Sequence, residues 1–154
     1  METRIHRFRR VRDVREKEKA LAQEELARRR RQLQELAHAI SDIEAEKEKA
    51  VVAFAELCAA SSSLEEVWLR RQAIEEAQGQ LADMKKNFSA LQKLIAALEE
   101  RLIERHKEVR LWDKLVSRME EDQVREELSQ EQKSLDEVAL SRFLQSKKAM
   151  EGRP

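Results

Sequence analysis

Proline is all but missing from this chain of 154 residues; the one example is Pro154. A proline inside a helix removes a backbone hydrogen bond and clashes with the preceding turn. Its absence leaves helix open from one end to the other. Glycine is nearly as scarce, at two residues, so there is no glycine-rich loop to cradle a phosphate. Tyrosine is absent and the aromatics are four Phe and two Trp, too few for a wide globular core of large side chains. Cys58 is the single cysteine. It has no internal partner, which fits a reducing, cytosolic compartment. The longest apolar run, residues 50–55, falls far short of the ~20 residues that span a bilayer. The Arg-rich start is not followed by an apolar segment, as a secretory signal would require.

Catalytic chemistry is missing too. There is no G-x-S-x-G and no Cys-x-x-Cys, and His6, His38 and His106 share no metal-ligand spacing with one another or with Cys58. Carboxylates are abundant everywhere, so a Glu pair at helical spacing carries no information. A two-stranded helical fold offers no concave pocket in which to perturb a pKa. The expectation is a protein that is not an enzyme and holds no cofactor or metal.

What is present is charge and periodicity. Asp, Glu, Lys and Arg make up 40% of the residues and cancel to zero overall. Such a composition also occurs in disordered chains, but a disordered chain has no reason to space its apolar residues by threes and fours. Here one set reads Val67, Ile74, Leu81, Phe88, Ile95, Leu102, Val109 and Val116. The set three residues later reads Arg70, Ala77, Met84, Leu91, Leu98, Arg105, Trp112 and Met119. A strict seven-residue repeat keeps one narrow stripe facing a partner helix, which is the signature of a coiled coil.

A rougher seam precedes it. Leu26, Leu33, Ile40, Lys47 and Phe54 form one set, joined by Leu36, Ile43, Ala50 and Leu57. Upstream, Val11, Val14 and Leu21 follow the stripe with a one-residue shift near Leu21, after a beginning at Ile5 and Phe8. Between the two seams lies a serine-rich break. Ser63 suits an N-cap there, with Glu66 placed to complete a capping box.

The expected fold is all-α: a single unit over 1–154 made of a long two-helix antiparallel coiled-coil hairpin with a helical C-terminal extension. Helix one spans about 3–58, the turn about 59–63 and helix two about 64–148, before a flexible tail. With the turn centred near residue 61, Phe8 falls opposite Lys114 and Met119 opposite Thr3. The regular heptad of helix two thus ends where helix one runs out, so the seam closes within one chain. The paired rod would be roughly 80 Å long. Trp112 takes a seam position, whereas Trp68 lies one residue off the seam near the tip.

Charge is polarised along the chain. Residues 1–31 hold twelve Lys or Arg against six Asp or Glu, and residues 120–137 hold two against eight. The basic clusters, Arg4 to Arg15 and Arg28 to Arg31, are interleaved with glutamate and lack stacking aromatics. They fit an acidic protein surface better than nucleic acid.

The Arg-rich amphipathic start (Arg4, Ile5, His6, Arg7, Phe8, then Val11, Val14, Arg15) and the run Leu135-Asp136-Glu137-Val138-Ala139 with Arg142-Phe143 resemble the FliJ/YscO family. These are small coiled-coil proteins of bacterial type III export, in flagella and in virulence injectisomes. The start looks closer to the injectisome branch and the end closer to the flagellar one. The resemblance implies a central stalk, cytoplasmic and tied to the membrane only through partners. It would bind the hexameric export ATPase and reach the cytoplasmic domain of the export-gate membrane protein, with secretion chaperones as a further partner class.

Together with the charge polarity, the resemblance assigns Arg4, Arg7, Phe8, Arg9, Val11, Arg12, Arg15, Gln132, Leu135, Val138 and Phe143 to the ATPase, the arginines outnumbering what the facing helix can neutralise. Leu64, Val67, Trp68 and Arg71 go to a gate-facing tip. A generic coiled-coil spacer or scaffold and a secretion chaperone are the alternatives. A homodimeric scaffold would run its seam across two chains, and a chaperone would need an exposed apolar groove.

Overall fold

The structure, a computed structural model, describes residues 3–60 and 63–152. It contains two helices, α1 (Arg4–Ala59) and α2 (Leu64–Glu151), and no strand among the described residues. They pack against each other as an antiparallel two-helix hairpin, as the paired seams predict. Of the expected turn, residues 61 and 62 lie outside the described residues. So do residues 153 and 154 of the expected flexible tail; before them α2 runs to Glu151, and the Gly152 N–H donates to the Lys148 carbonyl at 3.0 Å.

The start of α2 shows why the chain breaks where it does. The Glu66 N–H donates to Ser63 Oγ at 3.3 Å and the Val67 N–H donates to the Ser63 carbonyl at 3.2 Å. Ser63 therefore caps the helix, and Glu65 and Glu66 in the first turn oppose the positive end of its dipole. Ser63→Ala is expected to cost about 0.5–1 kcal/mol, the lower part of the capping range because the site is exposed. Thermal unfolding followed by circular dichroism would show it, and an unchanged midpoint would remove Ser63 as the cap.

The chain divides into two compact units. The first comprises Lys17–His106 and holds the break between the helices. Its core is a single line of contact in which Leu26, Leu81 and Ile95 are buried. Half-buried Ile74, Ala77, Met84, Phe88, Leu91, Leu98 and Leu102 fill the line on α2, and Leu33, Leu36, Ile40, Ile43, Phe54 and Leu57 fill it on α1. The two arginines of the α2 heptad behave differently. Arg70 is exposed, while Arg105 stays half-buried and donates through Nη1 to Glu18 at 2.9 Å. Ion pairs bridge the helices beside the seam at Arg30–Glu99 (2.9 Å) and Lys85–Glu44 (3.1 Å). Exposed pairs of this kind contribute little energy each, yet they hold the register. Glu25 sits between Arg29 and Arg28. The hydrogen bond from Arg29 first, then the charge of Arg28, holds its carboxyl below the usual range, and burial acts in the opposite direction.

The second unit comprises Met1–Glu16 and Lys107–Pro154. Val109 and Val116 are its buried residues, the latter only 1% exposed. Beyond Glu120 every described residue of α2 is exposed. The helical extension is therefore present and is packed against no other element among the described residues.

One sequence expectation is overturned. The α1 seam does not shift near Leu21, because Val14 is 51% exposed and Leu21 65%. The heptad set by Leu33 and Leu26 continues straight upstream through Ala22, Lys19, Arg15, Arg12, Phe8 and Ile5, all half-buried. A continuous helix keeps its phase. Turning Val14 and Leu21 inward would turn Ile5 and Phe8 out, so the exchange gains nothing. Long Arg and Lys stems can cover a seam while their charged heads stay wet.

Candidate functional site

The open end of the helix pair is where α1 begins. Its first turn is held by the Thr3 carbonyl, which accepts from the His6 and Arg7 N–H groups at 3.1 and 3.3 Å. That turn contains no acidic residue. Instead Arg4, His6 and Arg7 stand at the positive end of the helix dipole, the sign that local stability disfavours.

Aromatic packing holds this turn against α2. Phe8 meets Trp112 with ring centroids 5.4 Å apart and planes tilted by 58°, a favourable edge-inclined arrangement. Trp112 thus takes the seam role its heptad position predicts, two residues from the expected partner Lys114. The Arg4 guanidinium lies over the same Phe8 ring, 5.5 Å from its centroid, a cation–π contact. An open groove beside these residues is bordered by Ile5, Leu115, Met119 and Gln123.

The arginines predicted to bind a partner divide into two groups. Arg9, Arg12 and Arg15 recur every third residue and reach across to α2. Arg9 donates through Nε and Nη2 to Glu120 at 3.2 and 3.0 Å. Arg12 lies 3.9 Å from Asp113 and Arg15 3.9 Å from Glu108. The facing helix answers three of the five charges, because Glu120, Asp113 and Glu108 lie within reach of Arg9, Arg12 and Arg15. Arg4 and Arg7 are exposed, and Val11 is half-buried. The open end therefore presents Arg4 and Arg7 outward while Arg9, Arg12 and Arg15 fasten it.

Gln132, Leu135, Val138 and Phe143 are all exposed on the extension, Leu135 and Phe143 each at 64%. The four tip residues lie in the other unit. Leu64 is 88% exposed and Trp68 60%, Arg71 pairs with Glu75 along its own helix, and Val67 is half-buried. Trp68 is thus not packed away, and Leu64, Trp68 and Leu69 form an exposed apolar group at the start of α2.

Among the described residues no group of three or more His, Cys, Asp or Glu side chains could hold a metal ion. Among the same residues no helix is long and apolar enough to cross a membrane. The arrangement offers surfaces for contact: a basic, aromatic-braced end, an acidic and apolar extension, and an apolar tip.

The family model described as the flagellar FliJ protein matches residues 4–148. No curated protein and no solved structure matches.

Proposed function

The chain belongs to the flagellar FliJ protein family, which makes it a component of the flagellar export apparatus, and on that premise we propose that it is the cytoplasmic, non-enzymatic coupling stalk of the apparatus. Its basic open end holds the hexameric export ATPase, and its apolar tip meets the cytoplasmic domain of the export gate.

The observation that carries this reading is the first turn of α1. Arg4 and Arg7 stand exposed where the helix dipole already places positive charge, and α2 opens on glutamates as stability prefers. Natural sequences break a local rule of this kind where a partner repays the cost. An acidic surface lining the ring would do so, gaining charge-assisted contacts and relieving the dipole at once. The acidic, apolar extension adds Gln132, Leu135, Val138 and Phe143 farther along α2. A single helix pair inside a six-fold ring must contact its subunits unequally. It would bind some conformations better than others and thereby couple their hydrolysis states.

The test is the double reversal Arg4→Glu and Arg7→Glu. Among the described residues these side chains make no ion pair with α2, and the cation–π contact that Arg4→Glu gives up is offset by the favourable placing of acids at a helix start, so helicity should be kept and the stability should remain within about 1 kcal/mol of the parent. Stimulation of the cognate export ATPase should be lost, and the parent's stimulation should fall with added salt. A double variant that stimulates hydrolysis as well as the parent would show that the open end does not hold the ring.

A further inference from the structure

The seam of the unit Lys17–His106 changes character along its length. Over its middle the heptad positions read Leu33, Leu36, Ile40 and Ile43 on α1 and Leu81, Met84, Phe88 and Leu91 on α2, all of them large and apolar. Towards the break the same ladder reads Lys47, Ala50, Phe54 and Leu57 on α1 and Val67, Arg70, Ile74 and Ala77 on α2. Half of these outer positions are therefore charged or filled only by alanine. Among the described residues Leu81 is the buried side chain nearest the break. Among the same residues the last ion pair to join the helices in that direction is Lys85–Glu44, at 3.1 Å. Arg71 pairs with Glu75 on its own helix instead.

Gly79 lies at the boundary between the two kinds of seam. It is helical and exposed, and a Cβ added to it would meet nothing within 4 Å. No close approach calls for glycine there, and its effect is to weaken the helix.

This pattern runs against the economy of a hairpin. Contacts beside a short break cost the least loop entropy, so a seam built only for stability would be strongest there. Nor does the middle of the seam need the outer part, because lengthening a loop raises the cost of closing it only slowly. We propose that residues 47–58 and 64–78 are a locally opening element, which unfolds and recloses as one unit hinged at Gly79 while the middle of the seam stays closed. Opening exposes Phe54, Leu57, Val67 and Ile74, which the closed seam half-buries. On the gate-facing reading of the tip, which this clause alone rests on, those side chains would join Leu64, Trp68 and Leu69 as apolar surface, and binding would draw the tip open.

Native-state hydrogen exchange of the full chain alone, read from zero to sub-denaturing urea, tests the device. Amides of residues 50–57 and 67–76 should exchange about a hundredfold or more faster than those of residues 36–43 and 84–95. Their rates should rise with urea along one common, shallow slope, since a small surface opens. Lys47→Leu with Arg70→Leu supplies the missing apolar side chains. It should slow the outer set about tenfold or more and leave the inner set unchanged. Gly79→Ala should slow the outer set about two- to fivefold. Equal protection of the two sets in the parent would overturn the proposal. So would outer amides that exchange in either variant as fast as in the parent, or urea slopes that differ from residue to residue, the mark of fraying rather than of one unit. No partner is present, so none of these results depends on the gate reading.

Discussion

Leu81→Ala and Ile95→Ala are each expected to lower the unfolding free energy by about 2–5 kcal/mol, the range for large-to-small changes in a packed core. Both side chains are buried, and the hairpin has only one line of contact, so a cavity there has no second layer to collapse into it. Among the described residues Leu26 is the only other buried side chain of that unit. Phe88→Ala and Leu91→Ala fall at the low end, near ~2 kcal/mol, because those residues are only half-buried. Leu94→Ala is the control. It sits one residue before Ile95 on the same helix yet is 40% exposed, so its cost should stay near 0.5 kcal/mol. Thermal and urea unfolding by circular dichroism read all five. Equal losses for Leu94 and Ile95 would contradict the seam. The midpoints should not depend on protein concentration, because each seam is closed by its own chain.

The second large effect is expected at Trp112. Replacing it by Ala removes the ring that Phe8 packs against at 5.4 Å, and with it the main apolar brace of the first turns of α1. Full burial of such a residue would make the loss about 3–5 kcal/mol; Trp112 is half-buried, which places the expected value nearer ~2–3 kcal/mol. The loss should be local. Hydrogen exchange at the amides of residues 8–15 should accelerate by an order of magnitude or more, while amides around Leu36 and Ile40 keep their protection. Trp112→Phe should recover most of the difference, since an aromatic contact remains. If exchange near Phe8 is unchanged in Trp112→Ala, the aromatic pair is not what fastens the open end, and the ion pairs of Arg9, Arg12 and Arg15 must do so. Because Arg4 and Arg7 project from this same segment, Trp112→Ala should also weaken ATPase stimulation without touching either arginine.

The helices, their break and the α2 seam were legible in the sequence because they rest on local rules. The lack of proline allows continuous helix, Ser63 with Glu66 sets a start, and the seven-residue repeat from Ile74 to Met119 selects one face. Every position of the repeat over that span is half-buried or buried, and only Glu108, Asp113 and Leu115 are half-buried outside it. The extension could be read as helical and without a partner for the same reason: the heptad fails after Met119 while helix-forming residues continue.

What only the tertiary structure decided lies at the other end of α1. Read alone, Val11, Val14 and Leu21 are the apolar residues there, and a rule that puts apolar residues inside must shift the stripe to include them. Burying Val14 and Leu21 would contribute about 1.5–3 kcal/mol each. The shift would also turn out Ile5 and Phe8, break the ring contact with Trp112, and carry Arg9, Arg12 and Arg15 away from Glu120, Asp113 and Glu108. Those partners are 93 or more residues distant in sequence, so the balance between the two phases could be struck only across the helix pair. The same holds for the arginines of the candidate site. Composition marks the segment as basic, but which charges are spent on fastening α1 and which stay outward depends on the acids that α2 brings within 4 Å.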